Sequence, residues 1–419
     1  MNNRFARWVE SFFLKYEREL TIAVPILMLI WAFLWCLYNG WGDIDNYYNN
    51  ISSVIDSHQM PYSDATFEYP PFMLVFFLIP KIFSYDRGSF HISFLIFTTI
   101  FLFINCKLIL KISERLSSVE HRTMFVLVSW IFFSNVFIFC RADIFVSGMV
   151  LFGILLYMDN KPILSSIVLA LATMTKLYPV LIFGVLMAMV LCKRDWRRLF
   201  QSGLVFVAVC VLMELPFLIN DASTAFAYLT YHSDRGLQIQ SVIASAFLVY
   251  NIFVPGSVTV TDTYFSNSIS NPVADVIASY MNLITIAVII IFCLLMVYKM
   301  RHIRYDDRER LSLILLPIIV MIFITFSKVY SAQYFIWVAT LMPLVLTPII
   351  NDEETEDILM TYVVWGLFQF IDETYIYGPL CELNPFAVLV EAGKNLLLIV
   401  LMFKLAIVFH RHSRINPDQ

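Results

Sequence analysis

Pro70-Pro71-Phe72-Met73-Leu74-Val75-Phe76-Phe77-Leu78-Ile79-Pro80-Lys81-Ile82-Phe83-Ser84-Tyr85 can be read two ways, and the choice sets the topology of everything after it. Its apolar core is short, and Lys81 interrupts it. If it crosses a bilayer, the four cations Lys107, Lys111, Arg115 and Arg122 fall on the face opposite the N-terminus. If it lies along the interface, all four share the N-terminal face. Cytoplasmic segments are rich in Lys and Arg, and residues 1–19 already carry Arg4, Arg7, Lys15 and Arg18. The stretch therefore reads as interfacial, with the N-terminus and the four cations cytoplasmic.

Composition says why a bilayer is involved at all. Of 419 residues, 60% are hydrophobic and only 14% charged, with a mean hydropathy of +0.76. A soluble domain is roughly half apolar and a quarter charged. Apolar runs of about 20 residues recur, each able to span as a helix. The first run is too long for a cleavable leader and reads as a span. The seven cysteines form no CxxC and lie mostly inside apolar runs, so they read as small hydrophobes. The wealth of Phe, Tyr and Trp reads as lipid-facing and interfacial rather than as a nucleic-acid surface.

Working outward from residues 70–85, Leu20–Asn39 is the first span and residues 40–69 are external. Ile44, Tyr47, Tyr48, Ile51, Val54, Ile55 and His58 recur at helical spacing, with polar residues elsewhere on the wheel. That suits a first surface helix. The later spans are Ser89–Ile109, Thr123–Cys140, Ile144–Met158, Ile163–Thr175, Tyr178–Cys192 and Leu199–Ile219. After an external loop over 220–271 come Pro272–Tyr298, Leu311–Phe326, Ala332–Ile350, Ile358–Ile371 and Pro385–Val408. The expected fold is all-α and polytopic, with about 12 spans and both termini cytoplasmic. It is one integral domain over 1–419. Residues 1–271 form its catalytic module, with external loops at 40–88 and 220–271, and 272–419 are C-terminal spans.

Seven of the 28 Lys and Arg residues break the charge rule: Lys81, Arg87, Arg141, Lys176, Arg235, Lys328 and Lys394. A cation at or in the membrane on the wrong side is costly and usually functional. Arg141, Lys176, Arg235 and Lys328 sit in compact stretches that meet the external face. There Gly42-Asp43-Ile44-Asp45-Asn46-Tyr47-Tyr48 places two carboxylates. Arg141 and Asp143 could also neutralise each other at a helix end. Glu391 and Lys394, at i,i+3, are expected to pair. Glu214 has no evident partner.

Carboxylates facing cations at one mouth of a helical bundle suit a lipid phosphate whose tail stays in the bilayer. Arg grips phosphate oxygens bidentately, and Lys offers a point charge. If a sugar leaves that phosphate, the cations stabilise the developing negative charge. An opposing carboxylate takes the proton of the attacking hydroxyl. The competing class is a transporter or flippase of a lipid-linked or anionic solute, which often shows inverted repeats. No repeat is visible here.

Five stretches resemble motifs of the GT-C superfamily of membrane glycosyltransferases. They are most similar to glycosyltransferase family 87, the polyprenol-phosphate-mannose-dependent mannosyltransferases, also met as DUF2029-type proteins. They are Asp43-x3-Tyr47 with Pro61-Tyr62, Glu68-Tyr69-Pro70-Pro71, Lys176-Leu177-Tyr178-Pro179, His232-x2-Arg235-x2-Gln238-x2-Ser241, and Lys328-x2-Ser331-x-Gln333-Tyr334-x2-Trp337. Gln240 stands where many relatives carry Glu, and Ala332 where Pro is common. The resemblance implies an inverting hexosyl transfer, most simply of mannose, from a polyprenyl-phosphate sugar to a glycan or glycolipid hydroxyl on the non-cytoplasmic face. It also implies a GT-C-type bundle with two surface helices in the first external loop. Asp43 or Asp45 is the catalytic base, with the Asp-x3-Tyr spacing favouring Asp43. Arg141, Lys176, His232, Arg235, Gln238, Lys328, Gln333, Tyr334, Glu68 and Tyr69 are the expected donor-phosphate and substrate contacts. No cofactor is expected. Asp43-x-Asp45 lacks the further oxygen ligands that a divalent cation wants. The membrane is the plasma membrane of a prokaryote or the endoplasmic reticulum of a eukaryote.

Overall fold

The computed structural model describes residues 3–116, 121–233, 235–262, 266–301, 303, 305–345 and 352–413. The helices run α1 (Asn3–Asn39), α2 (Asp43–Ile55), α3 (Met73–Ile82), α4 (Arg87–Leu116), α5 (His121–Phe133), α6 (Phe137–Cys140) and α7 (Asp143–Met158). They continue as α8 (Pro162–Thr173), α9 (Pro179–Cys192), α10 (Trp196–Asn220), α11 (Ala227–Ser233), α12 (Val242–Phe253), α13 (Pro272–Met300) and α14 (Tyr305–Phe326). The last are α15 (Phe335–Ala339), α16 (Met342–Val345), α17 (Asp352–Ile371), α18 (Tyr377–Cys381) and α19 (Pro385–His412). A 3-10 turn at Ala332–Tyr334 precedes α15, and a π turn at Asp372–Ile376 separates α17 from α18.

Among the described residues, five helices are long and apolar enough to cross a membrane: Ser11–Asn39 of α1, then α4, α10, α13 and α19. Each of the twelve expected spans falls on a helix or on a run of broken helices, with 346–350 outside the described residues. The protein is thus a polytopic, all-α membrane protein. The breaks have local causes. Asn135 takes a left-handed backbone (φ 51) between α5 and α6, and Arg141 is extended between α6 and α7. The helices α13 and α19 begin alike: Asn271 and Asn384 accept backbone N–H bonds from the first turn, and Pro follows at the first helical position, where a missing N–H costs nothing.

The two surface helices are present. Gly42 caps α2 with a left-handed backbone (φ 51), and Asp43 and Asp45 fill its first turn, where the helix dipole favours carboxylates. Ile44, Tyr47 and Ile51 form its buried stripe; Ile55, at its end, is exposed. His58 lies beyond the helix, with φ 55. The helix α3 has 10 residues, about 15 Å at 1.5 Å each, half the roughly 30 Å of a bilayer core. It cannot cross. It packs on α2, where Tyr47 stacks on Phe77 at 4.5 Å and Lys81 bonds Asp56 (2.7 Å) and Ser52 (3.0 Å). Lys81 is therefore a clasp between the two surface helices.

The chain forms two compact units. One comprises residues 26–112 and 136–233, the other 1–25, 113–135 and 234–419. In the first, α8 packs between α7 and α10. A Cβ on Gly153 would meet Leu169 at 2.7 Å, so the glycine sets how closely α7 and α8 approach, as small residues do in membrane bundles. In the second, α19 packs on α12, α14 and α17, and α5 lies on α16 and α17. The second external loop holds more order than its sequence suggested. It contains α11, α12 and a three-stranded antiparallel sheet, β1 (Leu237–Gln238), β2 (Thr259–Asp262) and β3 (Asn267–Ser270), in the order β1-β3-β2. Leu237 faces Ile269 and Thr261 faces Ser268.

Candidate active site

In the first unit the carboxylates of α2 each hold a cation. Asp43 pairs with Arg141, whose extended backbone between α6 and α7 presents it. Both side chains keep contact with solvent, at 28% and 21% exposure. Asp45 accepts from His91 Nε2 at 2.9 Å, with the Arg87 guanidinium 3.6 Å away. His91 is 6% exposed and stacks on Trp41 at 4.2 Å, so its ring is fixed from both sides. Nothing in the sequence marked His91, because its link to Asp45 joins α4 to α2 without any local spacing. Arg87 also bonds Asn49 at 2.8 Å.

Asp143, 1% exposed in the first turn of α7, pairs with Lys176 at 2.7 Å. Arg141 and Asp143, two residues apart in sequence, thus each hold a longer-range partner, Asp43 and Lys176. The segment Glu68-Tyr69-Pro70-Pro71 lies against the same region. Neither proline has an N–H, and Phe72, the first residue after them that does, donates to Met174 O at 2.7 Å. Tyr69 is buried and hydrogen-bonded to the Tyr47 hydroxyl, and its own carbonyl accepts from Tyr62 at 2.6 Å. Burial, with Glu68 and Asp143 nearby, pushes the Tyr47 and Tyr69 phenols above their ordinary range, so both stay neutral. Glu214 also has a partner that the sequence did not reveal, the Tyr228 hydroxyl of α11.

The second unit holds the remaining motif residues from Arg235 onward. Gln238 N bonds Lys328 O at 2.9 Å, and Lys328 itself is 5% exposed. The side-chain oxygens of Gln238 and Gln333 are buried without a hydrogen-bond partner among the described residues. Tyr334 stacks on Trp337 at 3.8 Å. Arg235 comes two residues after the end of α11 in sequence, while the side chain of His232 lies outside the described ones. Behind this motif sits a buried cluster. Gln240 Nε2 donates to Asp372 (2.9 Å), which also accepts from Lys394 (2.6 Å), and Lys394 lies 2.9 Å from Glu391. Asn395 Nδ2 bonds Gln240 O (3.1 Å), Ser245 (2.8 Å) and Glu391 (3.0 Å). The expected Glu391–Lys394 pair is present. Its third member, Asp372 in the π turn, was not foreseen.

No curated protein matches the chain in sequence. Among solved structures, it is similar to the crystal structure of ArnT from Cupriavidus metallidurans bound to undecaprenyl phosphate, with 13% identity and a TM-score of 0.41. That similarity covers 87% of this chain and 72% of that one. The profile of glycosyltransferase family 87 matches residues 67–327, from the Glu68-Tyr69-Pro70-Pro71 segment to the residue before Lys328. That is well over half of the chain, and on it the protein belongs to glycosyltransferase family 87.

Proposed function

We propose that the protein moves a hexose, mannose in the first instance, from a polyprenyl-phosphate donor to a glycan or glycolipid hydroxyl on the non-cytoplasmic face, with inversion. The observation that carries this reading is the Asp43–Arg141 pair at the start of a surface helix, in a membrane-spanning member of a glycosyltransferase family. The pair is a base held by a cation of the kind that binds phosphate. When a lipid phosphate engages the Arg141 guanidinium, the attraction holding Asp43 is shared with it. The carboxylate is then released to accept the proton of the acceptor hydroxyl. That hydroxyl attacks the anomeric carbon from the face opposite the phosphate, and the bond to the phosphate oxygen breaks. Arg141 then balances the charge left on polyprenyl phosphate.

Asp43, whose Arg141 partner is the one drawn to the lipid phosphate, is the proposed base, and Asp45, held by His91 and Arg87, has an orienting role. Lys176, His232, Arg235, Gln238, Lys328, Gln333 and Tyr334 remain the proposed donor contacts. Side-chain cations supply the positive charge in this scheme, so it needs no metal. If prokaryotic, the enzyme works in the plasma membrane with both termini cytoplasmic.

The test uses purified protein in nanodiscs with a panel of polyprenyl-phosphate sugars, scored by release of polyprenyl phosphate. The mannosyl donor should be turned over, and Asp43→Asn should lower the rate by about 10²–10⁴, the usual worth of a general base. Turnover of a nucleotide sugar instead, or an Asp43→Asn variant as fast as the parent, would overturn the proposal.

A further inference from the structure

We infer that Cys36 and Cys140 are joined by a disulfide in the membrane-inserted protein. The two thiols lie in one compact unit, buried at 3% and 9% exposure, with their sulfurs 3.3 Å apart. A covalent S–S bond is about 2.05 Å, so closing it needs the sulfurs to approach by about an ångström. The remaining cysteines fall elsewhere in the helices, and among the described residues this is the pair in sulfur contact.

The location gives the bond a consequence. Cys36 stands near the end of α1, and the chain then runs through Gly40-Trp41-Gly42 to Asp43. Cys140 ends α6 and is followed directly by Arg141. The bond would therefore close a small ring: residues 36–43 on one side, Cys140 and Arg141 on the other, and the Asp43–Arg141 ion pair completing it. Two backbone segments that meet only through side chains would be fixed at the point where they present the carboxylate and the guanidinium.

Each thiol gives up one proton and one electron. The oxidant is the disulfide of an exported thiol oxidoreductase, which leaves as a dithiol after passing through a mixed disulfide. The exchange must occur while the helices are still assembling, because both sulfurs are buried afterwards. The inference rests on the outward-facing reading of residues 40–69 made above, since disulfides persist on that side of the membrane and not in the cytosol.

The experiment is peptide mapping of the full-length protein. Aerobically grown membranes are solubilised and denatured in N-ethylmaleimide without reductant, then digested and analysed by mass spectrometry. The expected result is a linked peptide pair containing Cys36 and Cys140, lost after reduction. In Cys36→Ser, Cys140 should appear alkylated. Finding both cysteines alkylated in the parent, with no linked pair, would overturn the inference. The donor assay separates the two proposals. Free thiols in an active transferase retire the disulfide alone, and a linked pair without transfer retires the donor scheme alone.

Discussion

Replacing Lys394 with Met removes the cation from a cluster in which Lys394, Asp372 and Glu391 are all fully buried. Lys394 Nζ holds Asp372 at 2.6 Å and Glu391 at 2.9 Å, and lies 5.0 Å from the centre of the Tyr330 ring. Breaking a buried pair by removing one partner costs about 3–5 kcal/mol, because the other charge is left uncompensated. Here one substitution orphans two carboxylates, so the expected loss is about 5 kcal/mol, the top of that range. Removing a carboxylate is a different operation. Asp372→Asn or Glu391→Gln leaves Lys394 with one carboxyl partner and keeps a polar group in place. Each should cost only about 1–3 kcal/mol, the worth of a hydrogen bond to a charged group. The triple variant Lys394→Met with Asp372→Asn and Glu391→Gln should recover stability relative to Lys394→Met alone, since the penalty is charge left without a partner. Unfolding of detergent-solubilised protein by SDS titration measures the order. A Lys394→Met variant within about 1 kcal/mol of the parent, or a carboxylate variant less stable than it, would refute the charge count.

Three further outcomes follow from contacts elsewhere. Asp45→Asn should retain at least about tenfold more transfer activity than Asp43→Asn, because Asp45 orients where Asp43 takes the proton; steady-state rates in the donor assay check this. The hydrogen bond from Lys81 holds the Asp56 carboxyl below its ordinary range, so the clasp between α2 and α3 contributes fully above about pH 4 and is lost as pH falls through the lower folded value. Amide exchange in α2 and α3 should quicken on acidification, and Lys81→Met should show that faster exchange already at neutral pH. A Cβ at Gly366 would sit 2.2 Å from the Phe133 ring, so Gly366→Ala should destabilise by about 1–3 kcal/mol, the cost of overpacking. Adding Phe133→Leu should return part of the loss in the same SDS titration.

What could be read from the sequence was local or periodic. Runs of apolar residues gave the spans, and a helical stripe gave α2, since Ile44, Tyr47 and Ile51 follow from 3.6 residues per turn. Counting cations placed residues 70–85 on the interface, and the shortness of α3 agrees. The Glu391–Lys394 pair was legible for the same reason, being one helical turn apart. Partners joined across the fold left no such trace. Asp43 with Arg141, Asp45 with His91, Asp143 with Lys176 and Lys394 with Asp372 are each set by packing, and no spacing in the chain announces them. The small sheet in the second loop escaped because its strands have two to four residues, too few for an alternating pattern to register.

The bond from Phe72 N to Met174 O joins two motif-bearing segments that lie about a hundred residues apart. It uses no side-chain atom. An alanine scan, the usual way of mapping such a site, is blind to it: every alanine variant keeps the N–H and the carbonyl. Scanning results at Phe72 and Met174 would report only the ring and the thioether. The tie itself answers to changes in the backbone, such as an ester at position 72. A map of this site built from side-chain deletions alone would therefore omit one of its longest-range connections.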